Sequence, residues 1–494
     1  MKLGALFREI PTVEKLHWKP NLTIQKITSD SRAVEPGDLF VACAGSRMDG
    51  HDFLTQAILA KAAAVVYENL PEITISRNVA AIRVKSSQAT LAMLINCFYH
   101  RPDKDIDLVG VTGTNGKTTI SYLLHRLLSS KTSAAYMGTL WYELPSQRIS
   151  ALNTTPGPEI LIPLLDQMRR AKVKACVMEV SSHALDQSRV FGLEFGVAIF
   201  TQLSQDHLDY HKDLEQYFAA KRRLFLSEPP PRQCLINRDC RYGRRLIEVM
   251  PSAKTYGLEA EADYMATDIV PSLQGNFFKF RYRDQQIPVQ IRLPLKHNVS
   301  NTVAVLGGLD LLGYDPREFL DILKEMPGIP GRMERITGAS DFDVFVDYAH
   351  TPDAFESVLG QAHDLAPRRV LTLFGCGGDR DRAKRPLMTR AACRYSDIVI
   401  FTSDNPRSED PEEIFSDMRR GLPKGAKERP DVLEIPDRAE AIERLVTLAE
   451  PGDVLFILGK GHEDYQILGE KKIPFDDRAV ARECLKRKTR VFLS

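Results

Sequence analysis

The stretch "LVGVTGTNGKTTISYLLHRLL" (108–128) joins an apolar run to a glycine-bearing loop, a lysine and two threonines. A helix follows, with Ile120, Leu123, Leu124, Leu127 and Leu128 on one face. In such a turn the backbone N–H groups of Gly113, Thr114, Asn115 and Gly116, the positive end of the helix dipole and the Lys117 ammonium surround phosphate oxygens. The Thr118 hydroxyl, with Thr119 beside it, is then available to Mg²⁺. Val111 stands where the full GxxxxGK[ST] pattern has its first glycine. The guanine-reading Asn-Lys-x-Asp segment has only a poor relative in "INRDC" (236–240), so adenine is the expected base.

Further along, Glu179 ends the apolar run "ACVMEV" and is a candidate Mg²⁺ carboxylate, against the plainer reading of a solvated strand-end acid. His207 and His211 in "QDHLDYH" have a spacing that can pair on zinc, but no third ligand has matching context, so His207 is placed beside Mg²⁺-ATP. Lys221, four residues after Tyr217 in "EQYFAAKRRLF", reads by itself as a solvated basic side chain. In "TSDNPRSEDP" (402–411) turn chemistry accounts for most positions. Asp404 and Asn405 are expected to bond the local backbone, Pro406 sets φ, and Asp410-Pro411 with Glu413 resembles a capping box. Arg407 is left over, and a guanidinium at a strand end can take a carboxylate through two parallel hydrogen bonds.

These residues need a framework. Short apolar runs alternate with helical periodicity from residue 106 onward, which predicts an α/β chain with mostly parallel sheets covered on both faces. "NFFKFRYRDQQIPVQIRL" alternates with period two about a polar turn and predicts a hairpin. In the last third, "DVFVDYAH", "VLTLFGCGGDRD", "DIVIFTSDNPR" and "DVLFILGKGHED" each end in charged or glycine-rich residues, and in doubly wound sheets ligands sit at those strand ends. Breaks at "HRPDKDIDL" and "MPGIPGRMERI" divide the chain into three domains: a small α/β domain over 1–105, a central P-loop ATPase-like domain over 106–330, and a Rossmann-like doubly wound domain over 331–494.

Composition narrows the partners. The 494 residues carry 66 Lys and Arg against 65 Asp and Glu, a balance that argues against nucleic acid or an acidic membrane surface and for small molecules. Eight cysteines without a CxxC pair predict reduced thiols. Arg8 and Glu9 interrupt "MKLGALFREI", and no stretch reaches the ~18 apolar residues of a membrane span, so the expectation is a soluble, cytoplasmic, monomeric protein.

Taken in order, "GTNGKTT", "MEVSSHALDQSR", "TQLSQDHLDYH", "YFAAKRRLF", "GRMERI", "VDYAHTPDA", "FGCGGDRDRAKRP", "SDNPRSEDP" and "LGKGHEDYQ" resemble the Mur ligases over essentially the whole chain, with "SDSRAVEPGDLFVACAG" similar to that family's UDP-binding domain. The resemblance implies an ATP-dependent amide ligase that joins meso-diaminopimelate to the D-Glu side chain of UDP-MurNAc-L-Ala-D-Glu through an acyl phosphate. L-lysine as the amine, or a nucleotide-binding regulator with slow ATPase activity, are the alternatives. It further implies that Lys117, Glu179, His207 and Lys221 are catalytic, with Lys221 carbamylated by CO₂ and Thr118, Glu179, His207 and the carbamate around Mg²⁺. Asn301 (or Asn298), Arg332, Asp347 and His350 would join the loop in holding ATP. Ser29, Ser31, Ser46, Arg47, Met48, Asn153, Thr154, Thr155, Ser181, Gln187 and Arg189 would hold the UDP-sugar dipeptide. Arg380, Asp404, Asn405, Pro406, Arg407, Gly459 and Glu463 would hold diaminopimelate.

Overall fold

The structure, a computed structural model, describes all residues except 46–47, 70–72, 339–340, 424–430 and 494. The chain forms two compact units: Met1–Gly113 with Leu124–Phe200 and Ala219–Cys234, and Thr114–Leu123 with Thr201–Phe218 and Leu235–Ser494.

The first unit contains a five-stranded sheet in the order Glu14–Leu16, Ala80–Arg83, Ala64–Tyr67, Leu39–Val41, Ile27–Thr28. All neighbours in it are parallel except the first pair. It also contains the run Phe195–Phe200, Asp107–Thr112, Ala175–Glu179, Ala134–Met137, extended by the antiparallel strands Trp141–Leu144 and Gln147–Ser150. Within "LTIQKIT" (22–28) only Ile27–Thr28 pairs in the sheet, with Thr23 in an isolated bridge. Asp107–Thr112 lies between two parallel neighbours, and its residues from Leu108 on are fully buried, so it reads as a continuous apolar run.

In the second unit the predicted hairpin is present as Asn276–Tyr282 paired with Gln285–Ile291. Its two turn residues, Arg283 and Asp284, have φ of 46° and 60°, the two-residue turn whose twist matches the flanking strands. A six-stranded sheet follows in the order Glu334–Arg335, Asp343–Asp347, Val454–Leu458, Val370–Phe374, Ile398–Phe401, Asp431–Glu434, parallel after the first pair. Its alternate residues face two separate cores. Phe345, Phe374, Phe401 and Phe456 pack with helices Pro352–Leu365 and Lys384–Tyr395. Val344, Val346, Leu371, Leu373, Ile400, Leu455 and Ile457 pack with helices Arg438–Leu448 and Asp477–Leu493. Each such side chain contributes about 1.5–3 kcal/mol on burial. With both faces covered, the sheet offers polar ligands only its strand ends. The last strand of this sheet in chain order, Val454–Leu458, sits between Asp343–Asp347 and Val370–Phe374, so the strand order reverses there and the loops after these strands flank a topological switch point.

Among the described residues no disulfide joins any of the eight cysteines. No helix among the described residues is long and apolar enough to cross a membrane.

Candidate active site

In the first unit one cluster is built around Glu179. Its carboxylate is fully buried, so it is not the solvated acid of the plainer reading. It accepts hydrogen bonds from the Tyr136 hydroxyl (2.8 Å), the Thr139 N–H (2.8 Å) and the Thr139 hydroxyl (3.0 Å). Gly138 is required beside it, because a Cβ there would lie 2.3 Å from Glu179 Oε1. Thr155 donates to the Glu179 carbonyl (2.8 Å) and accepts from the Ser181 N–H (3.0 Å), and Thr154 shares a 3.1 Å contact with the Thr139 hydroxyl. Arg189 donates to the Thr155 carbonyl (2.7 Å) and to Gln187 Oε1 (2.7 Å). The exposed Asn153 is fixed by its carbonyl, which accepts from the Tyr142 hydroxyl (2.5 Å).

The structure thus brings together Asn153, Thr154, Thr155, Ser181, Gln187 and Arg189 with Glu179. Ser29 joins through Glu159, whose carboxylate accepts from the Ser29 N–H (2.8 Å) and hydroxyl (3.0 Å) at the start of helix Pro158–Arg170. Ser31 bonds Gln56 instead (3.1 Å), Met48 is 69% exposed, and Ser46 and Arg47 lie outside the described residues. Lys221 is 1% exposed and donates to the Gly113 carbonyl at 2.7 Å, which overturns the solvated reading. Helix Leu214–Arg222 turns this lysine inward, which residue type and spacing could not indicate.

The second unit holds the rest of the phosphate loop. Lys117 donates to the Thr114 carbonyl at 2.8 Å, and the loop is clamped from Thr201 and Ser204, which bond Asn115 O (2.6 Å) and Thr114 Oγ1 (3.1 Å). Gly116 has φ +87°, and a Cβ on it would stand 2.6 Å from Asn301 Oδ1. That contact places Asn301 against the loop, whereas Asn298 is buried and bonded to the Pro294 carbonyl (2.8 Å) and to Asn301 (3.1 Å). Arg332 donates to the Thr118 hydroxyl (3.0 Å) and stacks over Tyr348 at 4.4 Å, while its buried Nε has no hydrogen-bond partner among the described residues. Both Asp347 oxygens accept backbone N–H groups, from Met333 (2.6 Å) and Ala349 (2.7 Å), and burial raises this carboxyl.

The sequence reading passed over Asp206, although it lies within a quoted motif. It sits 3.4 Å from His207 Nε2 and 3.9 Å from His350 Nε2. Burial alone would raise its carboxyl, but His207, His350, Lys384 and Lys117 outweigh burial and hold it at about 2. His350 donates from Nδ1 to the Tyr348 carbonyl (2.7 Å), and burial followed by Lys384 pushes it down to about 4, so it is neutral at pH 7. His207 caps helix Leu208–His211 with φ +53°. Among the described residues no group of three or more His, Cys, Asp or Glu is arranged to hold a metal ion.

At the strand ends of the six-stranded sheet, Arg407 also has a left-handed backbone, φ +54°. A bulky residue in that region costs of order 1–3 kcal/mol and marks sites where geometry is imposed. Here the ribbon Tyr465–Leu468/Lys471–Pro474 imposes it: Arg407 N–H donates to Ile467 O (3.2 Å) and Gly469 N–H to Arg407 O (2.9 Å). Arg407 Nη1 is anchored on the Gly378 carbonyl (2.7 Å), and the exposed Arg380 comes up to the same face of Gly377. Asp410 caps the next helix by accepting from the Glu412 N–H at 2.9 Å, with Pro411 in the first turn, as expected.

Asn405 departs from expectation. Its side chain makes no local turn bond; Oδ1 accepts from Ile467 N–H (2.9 Å) and Lys460 Nζ (3.3 Å), and Nδ2 donates to Glu463 Oε2 (2.9 Å). The competing partners lie more than fifty residues away, beyond the reach of local turn rules. Asp404 likewise makes no side-chain hydrogen bond among the described residues; its carboxylate packs on Gly459, whose φ of +111° and missing Cβ, 2.7 Å from Asp404 Oδ2, permit the approach. Pro406 is buried between these groups in the chain. Below them Arg438, fully buried, forms a two-bond ion pair with fully buried Asp477 (2.7 Å each) and donates to the carbonyls of Leu458 (3.0 Å) and Ser403 (3.5 Å).

Residues 23–99 match the Mur ligase family catalytic domain, 111–309 the Mur ligase middle domain, and 331–461 the Mur ligase glutamate ligase domain. Relatives named UDP-N-acetylmuramoyl-L-alanyl-D-glutamate–2,6-diaminopimelate ligase include one from Solibacter usitatus, 43% identical over 98% of both chains. Another, from Synechococcus elongatus, is 42% identical over 98% of this chain and 99% of its own. A solved structure bearing the same name superposes with a TM-score of 0.70 at 32% identity, over 99% of this chain and 100% of the other. The fold is shared at 20% identity by a MurF ligase from Thermotoga maritima, with a TM-score of 0.58 over 95% of this chain and 98% of that one. With relatives this similar along its whole length and three Mur domains in order, the chain belongs to the Mur ligase family.

Proposed function

We propose that the protein is an ATP-dependent amide ligase that adds meso-diaminopimelate to the D-Glu side-chain carboxylate of UDP-MurNAc-L-Ala-D-Glu, a step of peptidoglycan precursor synthesis. The observation that carries the choice of amine is the loop cluster at the sheet's strand ends. Arg407 and Arg380 offer cations there, and Asp404 and Glu463 offer carboxylates, which suits the zwitterionic far end of a diamino dicarboxylic acid. A regulator with slow ATPase activity has no use for such a site, and L-lysine lacks the far carboxylate that an arginine would grip.

A carboxylate does not react with an amine at neutral pH, because oxide would have to leave. Transfer of the ATP γ-phosphoryl group to the carboxylate oxygen makes an acyl phosphate. The neutral amine adds to its carbonyl carbon, and the tetrahedral intermediate collapses to the amide, releasing inorganic phosphate and the amine's proton. The phosphoryl step needs charge stabilisation rather than a protein nucleophile, so Lys117 and the amides of Gly113–Gly116 are its expected agents. Arg332 and Asn301 line the nucleotide side of the loop, with Asp347 and His350 in the strand-end loop beyond them.

Mg²⁺ binds through few protein oxygens and completes its shell with phosphate and water, so hydroxyl and carboxylate groups are the donors it would need here. Thr118, Glu179 and the carbamate formed by CO₂ on Lys221, with His207 beside them, would hold it, and it would supply charge neutralisation at the phosphates. Carbamylation turns a buried cation into a carboxylate-like ligand; peptide mass should show Lys221 heavier by one CO₂. Residues 1–105, 106–330 and 331–494 are assigned to the UDP-sugar, the nucleotide and the amino acid respectively, in a monomeric cytoplasmic enzyme.

The deciding experiment measures phosphate release with ATP and UDP-MurNAc-L-Ala-D-Glu in the presence of meso-diaminopimelate, L-lysine or no amine. Release that requires diaminopimelate is expected. Release independent of any amine would sink the ligase reading, and a preference for lysine would sink the specificity alone.

A further inference from the structure

Lys460 has no role in the account so far, yet it is among the most deeply buried charged residues of the chain, with no exposed surface. It follows Gly459 at the end of strand Val454–Leu458, in the loop that carries Glu463. Its ammonium reaches Glu463 Oε2 at 3.1 Å and Asn405 Oδ1 at 3.3 Å, with the Tyr465 ring centroid 5.4 Å away. Asn405 closes the triangle by donating to the same Glu463 Oε2 at 2.9 Å. The amide's orientation is determined by its partners, since Oδ1 faces two donors and Nδ2 faces a carboxylate.

The consequence lies on the other oxygen. Oε2 is held by two donors, while Oε1 has no hydrogen-bond donor among the described residues, and the Glu463 side chain keeps 15% of its surface exposed. Asp404 next to it is also without a side-chain donor among the described residues. Two carboxylates without donors repel each other; the Lys460 ammonium on Glu463 Oε2 offsets that repulsion and leaves the other oxygen of Glu463 unbonded among the described residues.

We propose that Lys460 is a positioning residue for amine selection: it locks Asn405 and one oxygen of Glu463, so that the other oxygen, with Asp404, receives the substrate's distal ammonium. This inference rests on the ligase reading, and it adds to that reading which buried group sets the amine subsite. Lys460 touches no substrate in this scheme. Its influence passes through Glu463 and Asn405, so it should appear in the amine's KM alone.

The test uses the full-length enzyme with Lys460→Met, which keeps the stem and removes the charge, and Lys460→Arg, which restores a cation. Lys460→Met is expected to raise the KM for meso-diaminopimelate at least about tenfold, the order of one charge-assisted hydrogen bond, with the KM values for ATP and the UDP-sugar dipeptide unmoved. Lys460→Arg should recover part of that loss. In a Glu463→Gln background the same Lys460→Met change should have little further effect, because the group it positions no longer needs a counter-charge. An unchanged amine KM in Lys460→Met, an equal rise in all three KM values, or an undiminished effect in the Glu463→Gln background would each overturn the proposal. Absence of amine-dependent phosphate release from the unaltered enzyme is a different result, and it would overturn the ligase reading together with this one.

Discussion

The phosphate loop after Gly113 and the proposed amine-binding loops both belong to the second compact unit, and both gather cations beside glycines of positive φ, yet they are held in opposite ways. At the phosphate loop Lys117 and Arg332 bond partners a single hydrogen bond away, the Thr114 carbonyl and the Thr118 hydroxyl. At the amine-binding loops the cations beneath the surface, Arg438 and Lys460, are locked to buried carboxylates and strand-end carbonyls. A hydrogen bond from a charged donor to a neutral acceptor contributes about 1.5–3 kcal/mol and can be exchanged for one to a phosphate oxygen, whereas breaking a buried ion pair leaves an uncompensated charge at a cost of about 3–5 kcal/mol. The first arrangement suits a site that must rearrange around a reacting nucleotide. The second suits a site that must discriminate between amines by fixed geometry.

The sharpest way to break the contrast is Asp477→Ala, which strands the Arg438 charge. It should lower unfolding free energy by about 3–5 kcal/mol, read from urea titration, and raise the amine's KM in whatever protein still folds. Lys117→Met should do the reverse, lowering kcat by about 10²–10³ with hardly any change in the same titration. Arg407→Ala should raise the KM for diaminopimelate about tenfold to a hundredfold and leave that for ATP nearly alone; an equal loss for both would make Arg407 structural. Two glycines offer a matched pair. Gly116→Ala places a Cβ against Asn301 and Gly459→Ala places one against Asp404, each in a backbone region that costs alanine at least about 1 kcal/mol. The first should weaken ATP alone and the second the amine alone.

The smallest effect is in pH dependence. Burial, then Asp404, raises the Glu463 carboxyl, while Lys460 and Asn405 oppose the rise. Arg438 below it and Tyr348 and Tyr465 beside it complete its charged surroundings. A raised carboxyl takes its proton at a higher pH than an ordinary glutamate, so kcat/KM for the amine should decline on acidification before the KM for ATP changes. A joint decline would remove Glu463 from amine recognition.

Much of this was legible in the chain itself. The phosphate loop is a local object: an apolar strand, glycines able to take positive φ, a lysine and an amphipathic helix within twenty-one residues, and the fold realises it with Ile120, Leu123, Leu124, Leu127 and Leu128 all fully buried. The strand ends of the last third were legible for the same reason, since a strand buried on both faces writes an uninterrupted apolar run and its end is marked where polarity returns. Arg407 stood out because turn chemistry had no use for it, and its strained backbone supports that suspicion.

What tertiary structure decided is everything that depends on residues far apart meeting. Lys221 changes from a solvated cation to a buried one through the orientation of its helix against the Gly113 carbonyl. Asp206 acquires its low carboxyl from His207 beside it and then from His350 and Lys384, more than 140 positions away, so its own motif shows only part of the cause. Asn405, by its type a turn-former, is drawn out of local bonding by Lys460, Glu463 and Ile467. Local rules reach only as far as a turn of chain, and a buried polar group takes whichever partners folding brings within 3 Å, because leaving it unpaired costs more than any local preference supplies.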